Sequence, residues 1–535
     1  MADAVVIGAG PNGLVAANRL ADAGWEVVVL EAEPDPGGAV RSAELTLPGY
    51  VHDRFSAFYP LAAGSPHIAG LGLDRHGLRW LRAPVVVADP AEDGSVVLLS
   101  SDREETCASV EAFAPGDGLA WRELTAWWDR IGPRLVDALL DPFPPLRSGG
   151  RLVAGLGPRG TLELARFGLL SARRFADERF NGAGAARLLA GSALHADITP
   201  EAPGGAVFAM VLVGLGQQVG WPVPESGAGR LADALVARLR AAGGRVLCGE
   251  RVERVLVRGG RAVGVRCADG REVGARRAVL ADVGAPQLYL SLLAREDVPG
   301  RVLSALRRFQ YDAGTVKVDW ALDGPIPWAA ADAARAGTVH VTGGIDALSL
   351  QAGELDRGRI PANPFLIVGQ YAGFDPSRQP PGHETAWAYT HVPQRVRGDS
   401  GGALTGSWDR GELERMAERI EARLERVAPG FRDRVLARHV VGPRELEAAD
   451  ANLVGGALNG GTAQLHQQLV FRPIPGLGRS ETPIRGLFLA SASAHPGGGV
   501  HGACGANAAR AALAHARLGL LRGGAVRRGG RLLRH

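Results

Sequence analysis

The residues that could do chemistry gather near the two ends of the chain. At the start, "VVIGAGPNGLVAANRL" sets Gly8, Gly10 and Gly13 in a G-x-G-x-x-G, with Pro11 and Asn12 inside the loop. A short apolar run at 4–7 precedes it, and Leu14, Ala17 and Leu20 follow at helical spacing. Gly24 stops that helix, and a valine-rich run at 27–30 leads into Glu31 and Ala32. Gly8 permits a tight turn, Gly10 lets backbone approach a pyrophosphate, and Gly13 lets the helix rest on the strand. The helix N-terminus then offers free N–H groups to the phosphates. Glu31 stands about twenty residues on, where an acid accepts hydrogen bonds from a ribose. Strand, turn, helix, strand and acid in this order predict a dinucleotide site on a Rossmann-like α/β unit.

The next stretch, "AEPDPGGAVRS", puts Gly37, Gly38 and Ala39 where bare backbone can lie on a cofactor. Arg41 could pair with a phosphate there, or stand on the surface. A glycine pair at this place is foreign to the nicotinamide fingerprint and follows the pattern of proteins whose FAD runs deep into the fold.

A second glycine-rich turn lies near the other end, in "HPGGGVHGACGANAARAALAHARL". Gly497, Gly498 and Gly499 are flanked by His495, Pro496, Val500 and His501, and a helical run follows Ala503. Between the two ends stands the only lysine among 60 basic residues, Lys317. Arginine is planar, bulky and always charged, so a lone lysine marks a place where arginine does not serve. In "YDAGTVKVDWAL" it alternates with valines, which predicts a strand carrying Lys317 on one face. A lysine on an exposed edge strand would read the same. Further candidates are His52, Asp53 and Tyr59 in "GYVHDRFSAFYPL", and His466 in "TAQLHQQLVFRP".

The elements that must position these residues belong to a chain of 535 residues, 46% hydrophobic and 22% charged, which is globular material in roughly two to four domain-sized units. Basic residues outnumber acidic ones by only 60 to 56, so the pI near 9.1 does not argue for a nucleic-acid partner. The segment 521–535 is a basic tail that reads as a solvated terminus, with peripheral contact to an anionic membrane as the alternative. Cys107, Cys248, Cys267 and Cys504 are scattered, with no C-x-x-C, so neither a metal site nor a redox dithiol is expected. No signal peptide or run of about 18 apolar residues is evident, which points to a cytoplasmic setting. The longest apolar run, at 206–216, reads as a core helix or the wall of a lipophilic tunnel. A long helix is expected over 160–180, and a solvated charged helix over 409–430.

Taken together, "VVIGAGPNGLVAANRLADAGWEVVVLEA", "GGAVRS", "GAGRLADALVARLRAAGGRVLCGERVERV", "LVFRPIPG" and "TPIRGLFLASASAHPGGGVHGACGANAARAAL" resemble FAD-dependent oxidoreductases of the phytoene desaturase-like group, within the flavin amine oxidase superfamily. The resemblance implies a Rossmann-like FAD-binding domain from 1–100, 225–290 and 440–520, and a discontinuous α+β substrate domain from 101–224 and 291–439. It implies that Val252 meets the adenine, that Asp282 and Ser491 return the chain to the cofactor, and that the 496–500 turn lies under the flavin ring. Relatives often carry a glycine and an acid where Ser491 and Ala492 stand, which weakens the ribityl contact here. Lys317 resembles the lysine that holds a water against flavin N5. His495 and His501 would then face the flavin, with His52, Tyr59 and His466 around the substrate; Cys504 as a covalent flavin anchor is the weakest of these readings.

The activity implied is hydride transfer from a lipophilic or secondary-metabolite-type substrate to flavin N5. Oxygen, a quinone or NAD(P) would then reoxidise the flavin. Amine oxidation and redox-neutral isomerisation are the alternatives, and a flavin-free prenyl carrier of the GDP-dissociation-inhibitor type is the non-enzymatic one. The oligomeric state is left open.

Overall fold

The protein is described by a computed structural model that covers the backbone of residues 1–532 and the side chains of residues 1–518. Its first sheet starts with β1 (Ala2–Ile7), α1 (Pro11–Asp22) and β2 (Val27–Leu30). Both strands are buried along their whole length, as their runs of alanine, valine, isoleucine and leucine demand for a parallel sheet covered on two faces. β1 lies between β2 and the strand Glu272–Ala281, parallel to each. Arg245–Leu247 extends the sheet beyond β2, and Leu487–Leu489 adds a parallel strand beside Glu272–Ala281. The hairpin of Val252–Arg258 and Arg261–Cys267 continues it antiparallel. Leu14, Ala17 and Leu20 of α1 are buried, and so are Leu231, Leu235 and Leu239 of the helix Gly229–Ala241.

The last helix, Ala503–Leu532, packs on α1. Their crossing is so close that a Cβ on Gly505 would lie 1.8 Å from the Asn12 carbonyl oxygen. The backbone of this helix includes most of the basic segment expected as a solvated tail; residues 533–535 lie outside the described residues.

The second sheet runs in the order Val435–Val441, Gly314–Leu322, Glu384–Val392, Leu366–Gly369, Ala336–Val341, Val85–Pro90, Val96–Ser100. The last two strands were expected in the nucleotide-binding unit; their valines complete this sheet instead. Val316, Val318 and Trp320 face the helix Arg410–Glu425, which buries Leu413, Met416, Ile420 and Leu424. That helix is thus amphipathic, not solvated all round. The opposite face carries Ile367 and Trp387 against the helix Ala183–His195. The 206–216 run is a helix, Gly205–Val219, packed into a core with Trp121 and Trp128, which favours the core reading over the tunnel. The long helix expected over 160–180 is split: Leu146–Phe167 ends before Ala172–Asp177 begins, and Ser171 caps the second piece.

A buried ion network ties the two sheets. Arg378 donates to Asp53 and Asp375, each at 2.7 Å, with all three side chains fully buried. Asp53 also accepts from the Tyr371 hydroxyl at 2.9 Å and the Ala228 N–H at 2.7 Å. Asp53, a cavity candidate in the sequence, is committed to this joint.

The close crossing at Gly505 generates a test. Gly505→Val should force the terminal helix away from α1 and lower stability by about 3 kcal/mol or more, the upper range for overpacking. Urea unfolding followed by tryptophan fluorescence measures it; an unchanged midpoint would show that the two helices do not cross as described.

Candidate active site

A cleft opens along the carboxyl ends of β1 and β2, where a parallel sheet binds ligands. Gly8, Gly10, Pro11 and Asn12 form its floor. Gly8 has φ +91°, a backbone state that other residues adopt only with strain. A Cβ on Gly13 would lie 2.3 Å from the Gly8 carbonyl, and one on Gly38 would lie 3.1 Å from the Gly10 Cα. α1 begins at Pro11, which has no N–H, and Asp282 takes the Gly13 N–H, so of these three residues Asn12 is the one whose N–H is left for the cleft. Glu31, Ala32, Ala39, Arg41, Val252, Asp282 and Ser491 line the walls. Gly37 sits behind them, its N–H bonded to the Ala9 carbonyl at 2.9 Å.

Two wall residues differ from their expected roles. Arg41 also fixes the Gly38 loop: its Nε donates to the Gly38 carbonyl at 2.9 Å and its Nη2 to the Ala449 carbonyl at 2.6 Å, while its side chain still lines the cleft. Asp282 reaches the start of α1, where its Oδ2 accepts the Gly13 N–H at 2.8 Å. Burial pushes the Asp282 carboxyl up to about 8, and the nearby Asp450 and Glu31 push the same way. Burial also raises Glu31, although the N–H groups of Ala9 (2.7 Å) and Glu33 (3.0 Å) hold its carboxylate.

Sequence motifs missed part of the cleft. Asp450, Asn452, Tyr311, Gly460 and Ser493 also line it. Asn452 Oδ1 accepts the Gly284 N–H at 2.9 Å and so fixes the turn after Asp282. Only the polar cluster "ADAN" marked that place, and a solvated turn reads the same.

The second glycine turn lies beyond the Ser491–Ser493 end of the cleft and does not line it. Its missing side chains make room for protein: Gly497 for Arg472 (3.2 Å from a Cβ), Gly498 for Asn459 and Gly499 for Leu61 (each 2.7 Å). Arg472 is fully buried and donates to the carbonyls of Ala492, Thr462 and Asn459. It anchors the turn, and its signal was the "FRP" of a stretch without other chemistry. Pro496 and Val500 belong to this same protein-packed turn.

The candidate catalytic groups are also committed. His495 Nε2 donates to the Asp141 carbonyl at 3.0 Å, and its buried Nδ1 has no partner. His501 Nδ1 accepts the Ala503 N–H at 3.0 Å and so caps the terminal helix. Burial lowers both histidines to about 4, so both are neutral at pH 7. Lys317 is 3% exposed on an interior strand, which removes the surface alternative. It is hydrogen-bonded to Asp319, whose carboxylate lies 3.6 Å from His52 Nδ1. Burial alone would raise Asp319, but Lys317 and His52 hold it below the usual range. His52 also meets Thr46 at 2.7 Å. Tyr59 is buried against Ser56. His466 is exposed and bonded to Gln310, so it is not the wall of a closed site. The Cys504 thiol is buried against the Ala494 and Gly497 carbonyls and pushed up to about 12, which leaves no thiolate for a covalent link.

A family model described as "NAD(P)-binding Rossmann-like domain" matches residues 6–70, and one described as "Flavin containing amine oxidoreductase" matches residues 108–404. The chain belongs to the flavin-containing amine oxidoreductase family. Among its relatives is "Pyridine nucleotide-disulfide oxidoreductase domain-containing protein 2" of Mus musculus, 30% identical over 95% of this chain and 92% of that protein. Another is "Phytoene desaturase (lycopene-forming)" of Pseudescherichia vulneris, 26% identical over 96% and 99%. The crystal structure of an oxidoreductase from Methanosarcina mazei shares the fold, with TM-score 0.62 at 18% identity, covering 95% of this chain and 99% of that one.

As a member of this family the protein is an FAD-dependent oxidoreductase, and its residues fit that cofactor. The start of α1, the facing Gly10 and Gly38, and a buried Asn12 Oδ1 without a partner form a channel that side chains would fill. Glu31 and Val252 line the same cleft.

Asp282 supplies a pH test on the apoprotein. Its folded pKa is raised, so between about pH 4 and pH 8 the folded chain holds a proton that the unfolded chain has lost. Stability therefore falls as pH rises through that window. Asp282→Asn should stabilise the apoprotein more at pH 8 than at pH 5 in urea unfolding; an equal effect at both would show an ordinary carboxylate.

Proposed function

We propose that the protein is a desaturase: it removes two hydrogens from adjacent carbons of an apolar, polyene-type molecule. FAD, when bound, supplies the hydride acceptor. The observation that carries this reading is that the candidate catalytic groups are already engaged: His495 donates to the Asp141 carbonyl, His501 Nδ1 accepts the Ala503 N–H, and Lys317 is bound to Asp319. Removing hydrogens from a polyene draws chiefly on cofactor electronics and on positioning, which suits such a site. The full-length similarity to a phytoene desaturase supports the same class. With FAD bound, the substrate would give up one hydrogen as hydride to the cofactor and the other as a proton to water, leaving a carbon–carbon double bond. An external acceptor, such as oxygen, a quinone or NAD(P), then restores the oxidised cofactor.

In this reading the first turn of α1 holds the diphosphate, Glu31 the ribose and Val252 the adenine. Gly460 and Ser491–Ser493 would hold the flavin ring at their end of the cleft, with the 496–500 turn behind them. Lys317 is a positioning residue: it holds the Asp319 carboxylate, which stands beside His52, on the substrate side of the sheet. The whole dinucleotide cradle favours an enzyme over a flavin-free prenyl carrier.

Anaerobic mixing of the FAD-loaded protein with carotenoid precursors in detergent tests the reading, with expected bleaching of the flavin absorbance and none with primary amines. Bleaching by amines alone would establish amine oxidation instead. Lys317→Met should retain FAD and slow bleaching by about tenfold or more, a typical loss for a positioned polar group; unchanged bleaching would remove Lys317 from the site.

A further inference from the structure

Three consecutive apolar side chains stand in solvent at Leu469, Val470 and Phe471, exposed by 40%, 40% and 45%. Such a run is unusual on a folded surface unless it is used. Leu469 has φ +54°, a state that is costly for leucine, so the loop is held in place against its local preference. What holds it is the site: the loop is bracketed by Gln468 and Arg472, whose buried side chains both meet the Gly497 position.

A second apolar element adjoins it. Arg479, at the far end of the same segment, donates to the Phe143 carbonyl at 3.0 Å, and the Phe143 ring lies 5.8 Å from that of His495. The helix Leu146–Phe167 starts there. It is broken at Gly157 (φ +66°), exposes Leu146 (78%) and Val153 before the break and Leu162 (72%) after it, and carries four arginines, of which Arg159 and Arg166 pair with Glu163 and Glu178. Arg147 and Arg151, beside Leu146, have no ion-pair partner among the described residues.

Exposed Leu146 and Val153 beside the unpaired Arg147 and Arg151, next to an exposed Leu-Val-Phe tip, match one kind of surface: a lipid bilayer with anionic headgroups. We propose that the 469–471 loop and the Leu146–Phe167 helix together dock the protein on an anionic membrane. The apolar tip enters the acyl boundary and the arginines meet the headgroups. Docking there puts the surface outside His495 and Gly497 against the phase in which an apolar substrate dissolves. No helix among the described residues is long and apolar enough to cross a membrane, so contact of this kind is peripheral. The proposal extends the lipophilic-substrate reading without depending on it, because binding is measured without turnover.

The test is sedimentation of the FAD-loaded protein with vesicles of phosphatidylcholine alone and with added phosphatidylglycerol. Binding should be weak to the neutral vesicles, strong to the anionic ones and reduced by salt. Arg147→Gln with Arg151→Gln should lower anionic binding on the order of tenfold. Leu162→Glu with Phe471→Glu should abolish it. Flavin content and melting temperature, measured on each variant, should stay at the parent values. A protein that stays in the supernatant with both vesicle types overturns the proposal, as does binding that neither variant changes. If sedimentation velocity shows a dimer that the Leu162→Glu/Phe471→Glu variant dissolves, the surface is a protein interface and the membrane assignment is wrong. Bleaching by a detergent-dispersed polyene in the same variants reads the desaturase assignment separately.

Discussion

The crossing of the last helix over the first is the constraint on which the cleft depends. A Cβ at Gly505 would collide with the Asn12 carbonyl, so the two helices meet backbone to backbone. That contact brings the end of the chain to the sheet that its beginning started. The short strand Leu487–Leu489 then pairs in parallel beside Glu272–Ala281, and Ser491–Ser493 become a wall opposite Gly10 and Asn12.

The cleft is built to receive negative charge with backbone rather than with side-chain cations. Arg41 spends its guanidinium on two carbonyls, and the acids Glu31, Asp282 and Asp450 share the walls. A diphosphate among these carboxyls would be tolerable where burial keeps Asp282 protonated and the N-terminal end of α1 faces the ligand. The same economy marks the far end. His495 and His501 are neutral, and the buried Arg472 is spent on the carbonyls that shape the glycine turn. The site is thus a rigid frame, and the reactive chemistry belongs to the cofactor.

The first sheet was legible because its signals are local. The spacing of Gly8, Gly10, Gly13 and Glu31 states a turn, a close approach and a hydrogen bond, each satisfied within thirty residues. Asp282 and Val252 could be found only by resemblance, since their place comes from strands far off in the chain. The second sheet was less legible: Val85–Ser100 carries valines that suit either sheet, and pairing with Ala336–Val341 decides it. The helix Arg410–Glu425 looked solvated because its charges hide a stripe of Leu413, Met416 and Ile420. Lys317 was correctly placed on a strand, but its partner Asp319 shares that face two residues on, so the lone lysine is first an ion pair. The glycines at 497–499 were expected to clear space for a cofactor. They clear it for Arg472, Asn459 and Leu61, which no motif announces.

Hydrogen exchange of the apoprotein and the FAD-loaded protein, read by mass spectrometry over the whole chain, tests the central claim that both ends of the chain frame one cofactor. Protection should appear together at residues 8–13 and at 489–505, with little change in the strands of the second sheet. Protection confined to 8–13, with the 489–505 peptides unchanged by FAD, would contradict the account.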